Sequence, residues 1–282
     1  MSPKNLFVIL LFCLVVRAIF TMFIEIPNAS PFFLDLIFQC GMYLLLFILC
    51  VQYLKLNRSD IFQIFGTKPK PIFVLMATCW ALVLLMFTLG ENAFEALLLS
   101  QFNKAMAYRV WNFHENSITT YPFFSRQVLS FLFVTVGVGP IVEEFFFRGL
   151  LLPALSIKRG FHASAIISSV FFVALHFSTH YFLSTFVFSI SLCYIYLVSR
   201  SLIACAIIHI SFNFVAFLHQ NYFDIHWTRS INEMDSLIFW IPQLIMFAVS
   251  VLLIFYAGYF FKDKILKSCS TTFCWHSIGN KS

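Results

Sequence analysis

Eight stretches of mostly apolar residues, each near the roughly 20 residues that a helix needs to cross a bilayer, constrain the fold of this chain most strongly. Seven of them are simple runs, at 6–24, 32–54, 72–90, 161–179, 181–199, 201–219 and 236–261. The eighth, 127–157, is long for one crossing and contains Gly137-Val-Gly139-Pro140. Proline removes a backbone donor and disfavours helix just before it, so we expect a kink or restart there and a working helix from about Pro140 to Leu155.

The composition is that of a membrane protein. Hydrophobic residues make up 61% of the chain and charged residues 11%, and the mean hydropathy is +0.89. These values exclude an ordinary soluble domain. The first apolar run is not followed by a small-residue cleavage site, which predicts a retained first span. We therefore predict an all-α polytopic membrane protein, a bundle of about eight transmembrane helices around a polar cavity, with residues 1–282 as a single integral membrane domain.

The basic residues indicate how the chain lies in the membrane. If the N-terminus is cytoplasmic, the inner segments hold Lys4, Lys55, Arg58, Lys68, Lys70, Lys158, Arg159, Arg200, Lys262, Lys264, Lys267 and Lys281. The outer segments then hold only Lys104, Arg109, Arg126 and Arg229. This asymmetry predicts that both termini are cytoplasmic. An amphipathic stretch at 92–125 could instead lie along the interface and change the count of spans by one. The partner implied by this pattern is membrane lipid, and no nucleic acid is expected.

Three ionisable residues stand inside the interrupted span, namely Glu143, Glu144 and Arg148. Each costs about 2.5 kcal/mol or more in a bilayer, so such groups usually face the interior of a bundle and mark a working site. Residues four apart on a helix nearly stack, whereas neighbours differ by about 100°. Glu144 is thus expected to pair with Arg148, while Glu143 points elsewhere and is available to a cavity.

Two histidines and an asparagine in later spans extend this set. Glu143 and His176 lie equally far from the turn at Lys158-Arg159-Gly160, so an antiparallel helix pair brings both to a depth of about 25 Å. His209 is only about 14 Å from the same face, and it shares a helix face with Asn213. A carboxylate with a histidine can hold and deprotonate a water. Donors from a histidine and an asparagine can stabilise the oxyanion that forms when this water attacks an amide carbonyl.

Together these residues resemble the CAAX-protease and bacteriocin-processing (CPBP, or Abi) family of intramembrane endopeptidases. The three motifs of that family occur in order, as Glu143-Glu144-x-x-x-Arg148, Phe172-x-x-x-His176 and His209-x-x-x-Asn213. The family-like catalytic core covers about 126–219. The resemblance implies an endopeptidase that hydrolyses a peptide bond near the membrane in a peptide or protein substrate, prenylated or not. By motif, Glu143 and His176 would activate the water, His209 and Asn213 would form the oxyanion site, and Glu144 with Arg148 would support the site structurally.

Several alternatives remain open at this stage. The family has been described both as metal-dependent and as a metal-free glutamate type. No metal is favoured here, but Glu143, His176 and His209 could serve as zinc ligands. His180 beside His176, or Cys269 and Cys274 near His276, are weaker metal candidates. The alternative function is non-enzymatic, either a proton-coupled transporter or a bacteriocin immunity or scaffold protein that keeps the fold.

Overall fold

The computed structural model describes residues 3–23, 31–111, 122–176, 182–221 and 230–270, and almost all of them are helical. The helices up to the middle of the chain are α1 (Pro3–Phe23), α2 (Pro31–Tyr53), α3 (Arg58–Phe65), α4 (Pro71–Ser100), α5 (Lys104–Trp111) and α6 (Arg126–Arg159). The second half contains α7 (Phe161–His176), α8 (Phe182–Ser199), α9 (Leu202–Asn221), α10 (Ile241–Phe260) and α11 (Lys262–Ser270). The predicted all-α architecture is confirmed.

Each of the eight predicted spans coincides with a helix. Six of these helices are long and apolar enough to cross a membrane, namely α2, α4, α6, α8, α9 and α10, the last counted from Leu237. The apolar parts of α1 and α7 are shorter. The protein is therefore a multi-pass integral membrane protein.

The fourth helix is longer than the sequence indicated. The sequence predicted a span over 72–90 and left open that 92–125 lies along the interface, but α4 continues to Ser100. The added segment is rich in Ala, Leu and Glu, which favour helix, and it contains no proline to stop propagation. Glu91 and Glu95 consequently belong to a long bundle helix, whereas residues 112–121 lie outside the described part of the chain.

The central helix, α6, does not break at its proline. It runs from Arg126 to Arg159 and changes to π-helix over Leu132–Val138 and again over Phe145–Leu151. Each π segment ends two residues before a proline, Pro140 or Pro153. A proline leaves the carbonyl four residues back without its donor and clashes with it, and a wider π turn relieves both effects. The helix type therefore changes between Val138 and Gly139, where the sequence predicted a kink or restart, and the chain stays helical on both sides.

Helix α6 lies at the centre of the bundle. In its span 44% of the residues are buried, compared with 17% in α2 and 17% in α10. It contacts α1, α2, α3, α7, α8 and α9. Helix α9 in turn packs against α4, and α4 packs against α10. The three consecutive aromatic side chains of Phe145, Phe146 and Phe147 are all buried, which fixes the rotation of α6 and hence the direction of Glu143 and Glu144.

Several connections meet on one side of the bundle. Ser201, just before α9, donates a hydrogen bond from Oγ to the carbonyl of Thr67 at 2.6 Å. Gly66 pairs with Ser201. Its φ of +72° is a conformation that favours glycine, and a Cβ at this position would also overlap the carbonyl oxygen of Arg200. The Arg200 side chain donates to the carbonyl of Ser268 in α11 at 3.3 Å. The α3–α4 connection, the start of α9 and the end of α11 are thereby joined.

Candidate active site

A cavity of about 390 Å³ opens beside the middle of α6. Glu143, His176, His209 and Asn213 all line it, so the structure brings together the four polar residues singled out in the sequence. Its volume is in the range of small ligand sites, which run from about 300 to 1,000 Å³. The rest of the wall is mostly apolar and comes largely from α1, α2 and α6, with Leu10, Met42, Leu46, Phe131 and Phe147 among its members.

Glu144 and Arg148 form the expected pair. The Arg148 Nη1 donates to Glu144 Oε1 at 2.8 Å, and both side chains are fully buried. Arg148 Nη2 also donates to the carbonyl and the hydroxyl of Ser189 in α8, both at 2.8 Å. Its guanidinium lies 4.8 Å from the centre of the Phe172 ring in α7. Arg148 thus ties α6 to α7 and α8 directly behind the cavity.

Glu144 has a second contact that the sequence did not indicate. Its Oε1 lies 2.8 Å from Nδ1 of His209, which is 3% exposed. A carboxylate paired with arginine can only accept, so the hydrogen-bond network assigns a proton to Nδ1 of His209. The Nε2 of the same ring faces Glu143, at 3.8 Å from its Oε2. His209 is therefore oriented by the buried ion pair behind it.

Glu143 points into the cavity as expected from its position next to Glu144. Its side chain is 14% exposed, whereas that of Glu144 is fully buried. The hydroxyl of Tyr43 in α2 donates to Oε1 of Glu143 at 2.9 Å. Oε2 therefore lies on the side of the carboxylate that faces His209.

His176 ends α7 on another wall of the cavity. Its Nδ1 is 2.8 Å from the carbonyl oxygen of Phe172, one turn earlier in the same helix. A carbonyl only accepts, so Nδ1 carries the proton and Nε2 of the neutral ring has a lone pair. The Phe172 and His176 rings also lie 4.6 Å apart. Phe172 thus contacts both His176 and Arg148, which gives a physical reason for a phenylalanine four residues before the histidine.

Asn213 reaches the first π segment of α6. Its Nδ2 donates to the carbonyl oxygen of Thr135 at 3.2 Å. The hydroxyl of Thr135 donates in turn to Oε1 of Gln39 in α2 at 3.3 Å. One N–H of the side-chain amide makes this hydrogen bond, and the second N–H on the same nitrogen lies at the cavity wall.

Comparison with known proteins gives one finding. Residues 125–215 match the family model described as Rce1-like, type II CAAX prenyl endopeptidase. This segment belongs to the CAAX protease family. It covers about a third of the chain and includes all three motifs and all four polar residues of the cavity wall. No curated protein and no solved structure gives a significant match to the chain.

The CAAX protease segment does not contain the whole site. Tyr43 and Gln39 come from α2, far earlier in the chain, and sequence reasoning missed both. Tyr43 is one of many aromatic residues in the apolar spans, so its residue type carried no signal. Gln39, an amide within an apolar span, was a signal that could have been used. The role of Gly139 is seen only in the structure, where a Cβ at this position would lie 2.8 Å from the Tyr43 ring.

The metal candidates of the cavity wall are Glu143, His176 and His209. Among the described residues no three His, Cys, Asp or Glu side chains are grouped as metal ligands. The Nδ1 atoms of both histidines make hydrogen bonds, as they commonly do in metal-binding histidines, and Nε2 is the nitrogen of each ring that a metal would take. His180, Cys274 and His276 lie outside the described residues, as does the side chain of Cys269.

Proposed function

We propose that this protein is an intramembrane endopeptidase of the CAAX type, in which Glu143 and His176 activate a water and His209 and Asn213 stabilise the oxyanion. The observation that carries the proposal is the single cavity lined by these four side chains, inside the segment that matches the family model. Ionisable groups that face a cavity within a membrane bundle are by default functional.

Water activation requires acceptors that are directed at the same space. Glu143 offers Oε2, because Oε1 accepts from Tyr43. His176 offers Nε2, because its Nδ1 donates to the Phe172 carbonyl. A water between these two acceptors attacks the scissile carbonyl carbon while one of its protons passes to Glu143. Collapse of the intermediate breaks the C–N bond, and the leaving amine takes that proton.

Oxyanion stabilisation requires donors, and the structure constrains how His209 provides one. With Nδ1–H directed at Glu144, Nε2 of His209 donates only when the ring carries protons on both nitrogens. Carboxyl groups on both sides, at 2.8 Å and 3.8 Å, compensate the charge of such a ring. The second N–H of Asn213 supplies the other donor. Donors that are fixed before the reaction stabilise the developing charge without reorganisation.

The substrate that this cavity favours is a peptide with an apolar group beside the scissile bond. The polar side chains lie at one wall, while α1 and α2 contribute apolar ones such as Leu10, Met42 and Leu46. A prenylated C-terminal peptide has this distribution, and the matched family model is named for such substrates.

We propose that both termini are cytoplasmic, because the joined connections at Gly66, Arg200 and α11 lie on the lysine- and arginine-rich side.

The proposal is tested with purified protein and fluorogenic membrane-proximal peptides, prenylated and unprenylated. We expect His176→Ala to lower kcat by about 100-fold or more, as for loss of a general base. The matched control is His162→Ala, since His162 is an exposed histidine in the same helix that contacts Tyr194 rather than the cavity. Equal cleavage by both variants would refute the assignment. If no peptide is cleaved and proteoliposomes show a substrate-dependent proton flux lost in Glu143→Gln, the transporter alternative holds instead.

A further inference from the structure

Tyr43 contacts the proposed base, Glu143, directly. Its hydroxyl donates to Oε1 of Glu143 at 2.9 Å, across 100 residues of sequence. It belongs to α2, outside residues 125–215, so the match to the family model does not include it. The contact connects the first quarter of the chain to the middle of α6.

The packing around Tyr43 is built for this contact. Gly139 lies one helical turn before Glu143, on the same face of α6. A Cβ at Gly139 would lie 2.8 to 2.9 Å from three atoms of the Tyr43 side chain, closer than packed atoms approach. Only glycine allows the ring to pass over α6 and place its hydroxyl at the carboxylate. The position of the Tyr43 hydroxyl at Glu143 therefore depends on Gly139 in α6 as well as on Tyr43 itself in α2.

A second contact holds α2 in register with the site. Gln39 lies four residues before Tyr43 and so shares its helix face. Its Oε1 accepts from the hydroxyl of Thr135, whose carbonyl accepts from Asn213. One face of α2 is thus connected to both ends of the polar wall, directly at Glu143 and through Thr135 at Asn213.

From this geometry we propose that Tyr43 is a positioning residue, which occupies Oε1 of Glu143 so that Oε2 faces the cavity as the proton acceptor. The inference rests on the proposed function. A donor held at one carboxylate oxygen leaves the other oxygen as the one that can accept a proton from a water in the cavity. Tyr43 also fixes the rotamer of Glu143, which keeps the acceptor oxygen at one position relative to His209. Tyr43 itself does not touch the reacting atoms.

Other titratable groups line the cavity beside Glu143. Within the described residues those that line the same cavity are Tyr43 from α2, Cys13 from α1, His176 from α7 and His209 from α9. Glu144 and Arg148 on α6 itself lie behind His209. A change at Tyr43 leaves these other groups in place, so its effect on Glu143 can be isolated.

The test is Tyr43→Phe, which keeps the ring and its packing and removes only the hydroxyl. We expect kcat to fall by about ten-fold, with KM nearly unchanged, as for loss of one hydrogen bond to a charged group. The matched control is Tyr194→Phe, which removes a hydroxyl that contacts His162 away from the cavity.

A second measurement separates failure of this inference from failure of the proposed function. Infrared spectroscopy at one fixed pH follows the carboxylate stretching band of Glu143, assigned by comparison with Glu143→Gln, and requires no cleavage. Absence of cleavage by the wild-type protein would refute the proposed function, while a carboxylate band displaced in Tyr43→Phe would still support the contact. An unchanged band together with unchanged kcat and KM would overturn it. If Tyr43→Phe does not fold, Gly139→Ala, whose Cβ displaces the Tyr43 ring and adds no donor, should show the same displacement of the band.

Discussion

Nδ1 of His209 lies 2.8 Å from Oε1 of Glu144, the same oxygen that accepts from Arg148 at 2.8 Å. One buried carboxylate oxygen therefore holds both the structural arginine and a histidine of the cavity wall. The two glutamates of α6 have distinct roles in this arrangement. Glu144 orients the site from behind, and Glu143 faces the space where chemistry is proposed to occur.

Glu144→Gln should strongly destabilise the bundle. The substitution keeps the shape of the side chain but leaves a fully buried guanidinium without its carboxylate, which costs about 3–5 kcal/mol. Thermal unfolding in detergent, compared with the wild type, measures the loss. Combining Glu144→Gln with Arg148→Met removes the unpaired charge and should recover part of that stability. Unfolding of Glu144→Gln at the wild-type temperature would show that the pair is not needed.

His209→Gln and Asn213→Leu should each lower kcat by about 100-fold to 1,000-fold, the usual effect of removing one oxyanion donor. KM should change little, because the oxyanion exists only in the transition state. The double variant should lose less than the product of the two single effects, since the donors act on one oxygen. Steady-state kinetics on a fluorogenic peptide supply all three values. A rise in KM at constant kcat would instead assign these residues to substrate binding.

Phe172→Leu should affect stability more than catalysis. The Phe172 carbonyl that accepts from His176 belongs to the backbone and survives the change. The ring, which lies 4.8 Å from the Arg148 guanidinium and is 1% exposed, is lost. We expect the free energy of unfolding to fall by about 1–3 kcal/mol, with kcat reduced less than ten-fold. A loss of kcat equal to that of His176→Ala at unchanged stability would give Phe172 a direct role.

Metal removal should leave cleavage intact. The proposed mechanism uses a carboxylate, two imidazoles and an amide, and these described side chains are not grouped as metal ligands. Incubation with a strong chelator, followed by elemental analysis and an activity assay, tests this prediction. Activity lost with the chelator and restored by zinc would instead support Glu143, His176 and His209 as ligands.

The sequence predicted the parts of this molecule that depend on local spacing. Apolar runs located eight helices, and four-residue spacing predicted the Glu144–Arg148 pair that the structure confirms. Equal distances from the turn at Gly160 placed Glu143 and His176 at one level, and both line the same cavity. Each of these inferences needs only helix geometry and the cost of burying charge.

Features that depend on packing between distant segments could not be predicted. The contact of Tyr43 in α2 with Glu143 could not be inferred from the sequence, because it requires the position of α2 relative to α6. The relative depth of His209 and Glu143 could not be predicted either. Counted along regular helices, His209 lies about 14 Å from its turn and Glu143 about 25 Å from the turn at Gly160. The two side chains nevertheless line one cavity, with Nε2 of His209 3.8 Å from Oε2 of Glu143. Helix lengths alone do not determine such a contact, because it depends on how far each connection projects from the bundle.

The measurement that tests the central claim most directly is cleavage of a membrane-proximal fluorogenic peptide by the wild type, Glu143→Gln and Glu95→Gln, each purified and shown to be folded. Glu95→Gln is the matched control, because Glu95 lies in another long helix, α4, and not at the cavity. We expect cleavage by the wild type and by Glu95→Gln, and a reduction of about 1,000-fold or more in Glu143→Gln. Cleavage by Glu143→Gln at the wild-type rate would contradict the account.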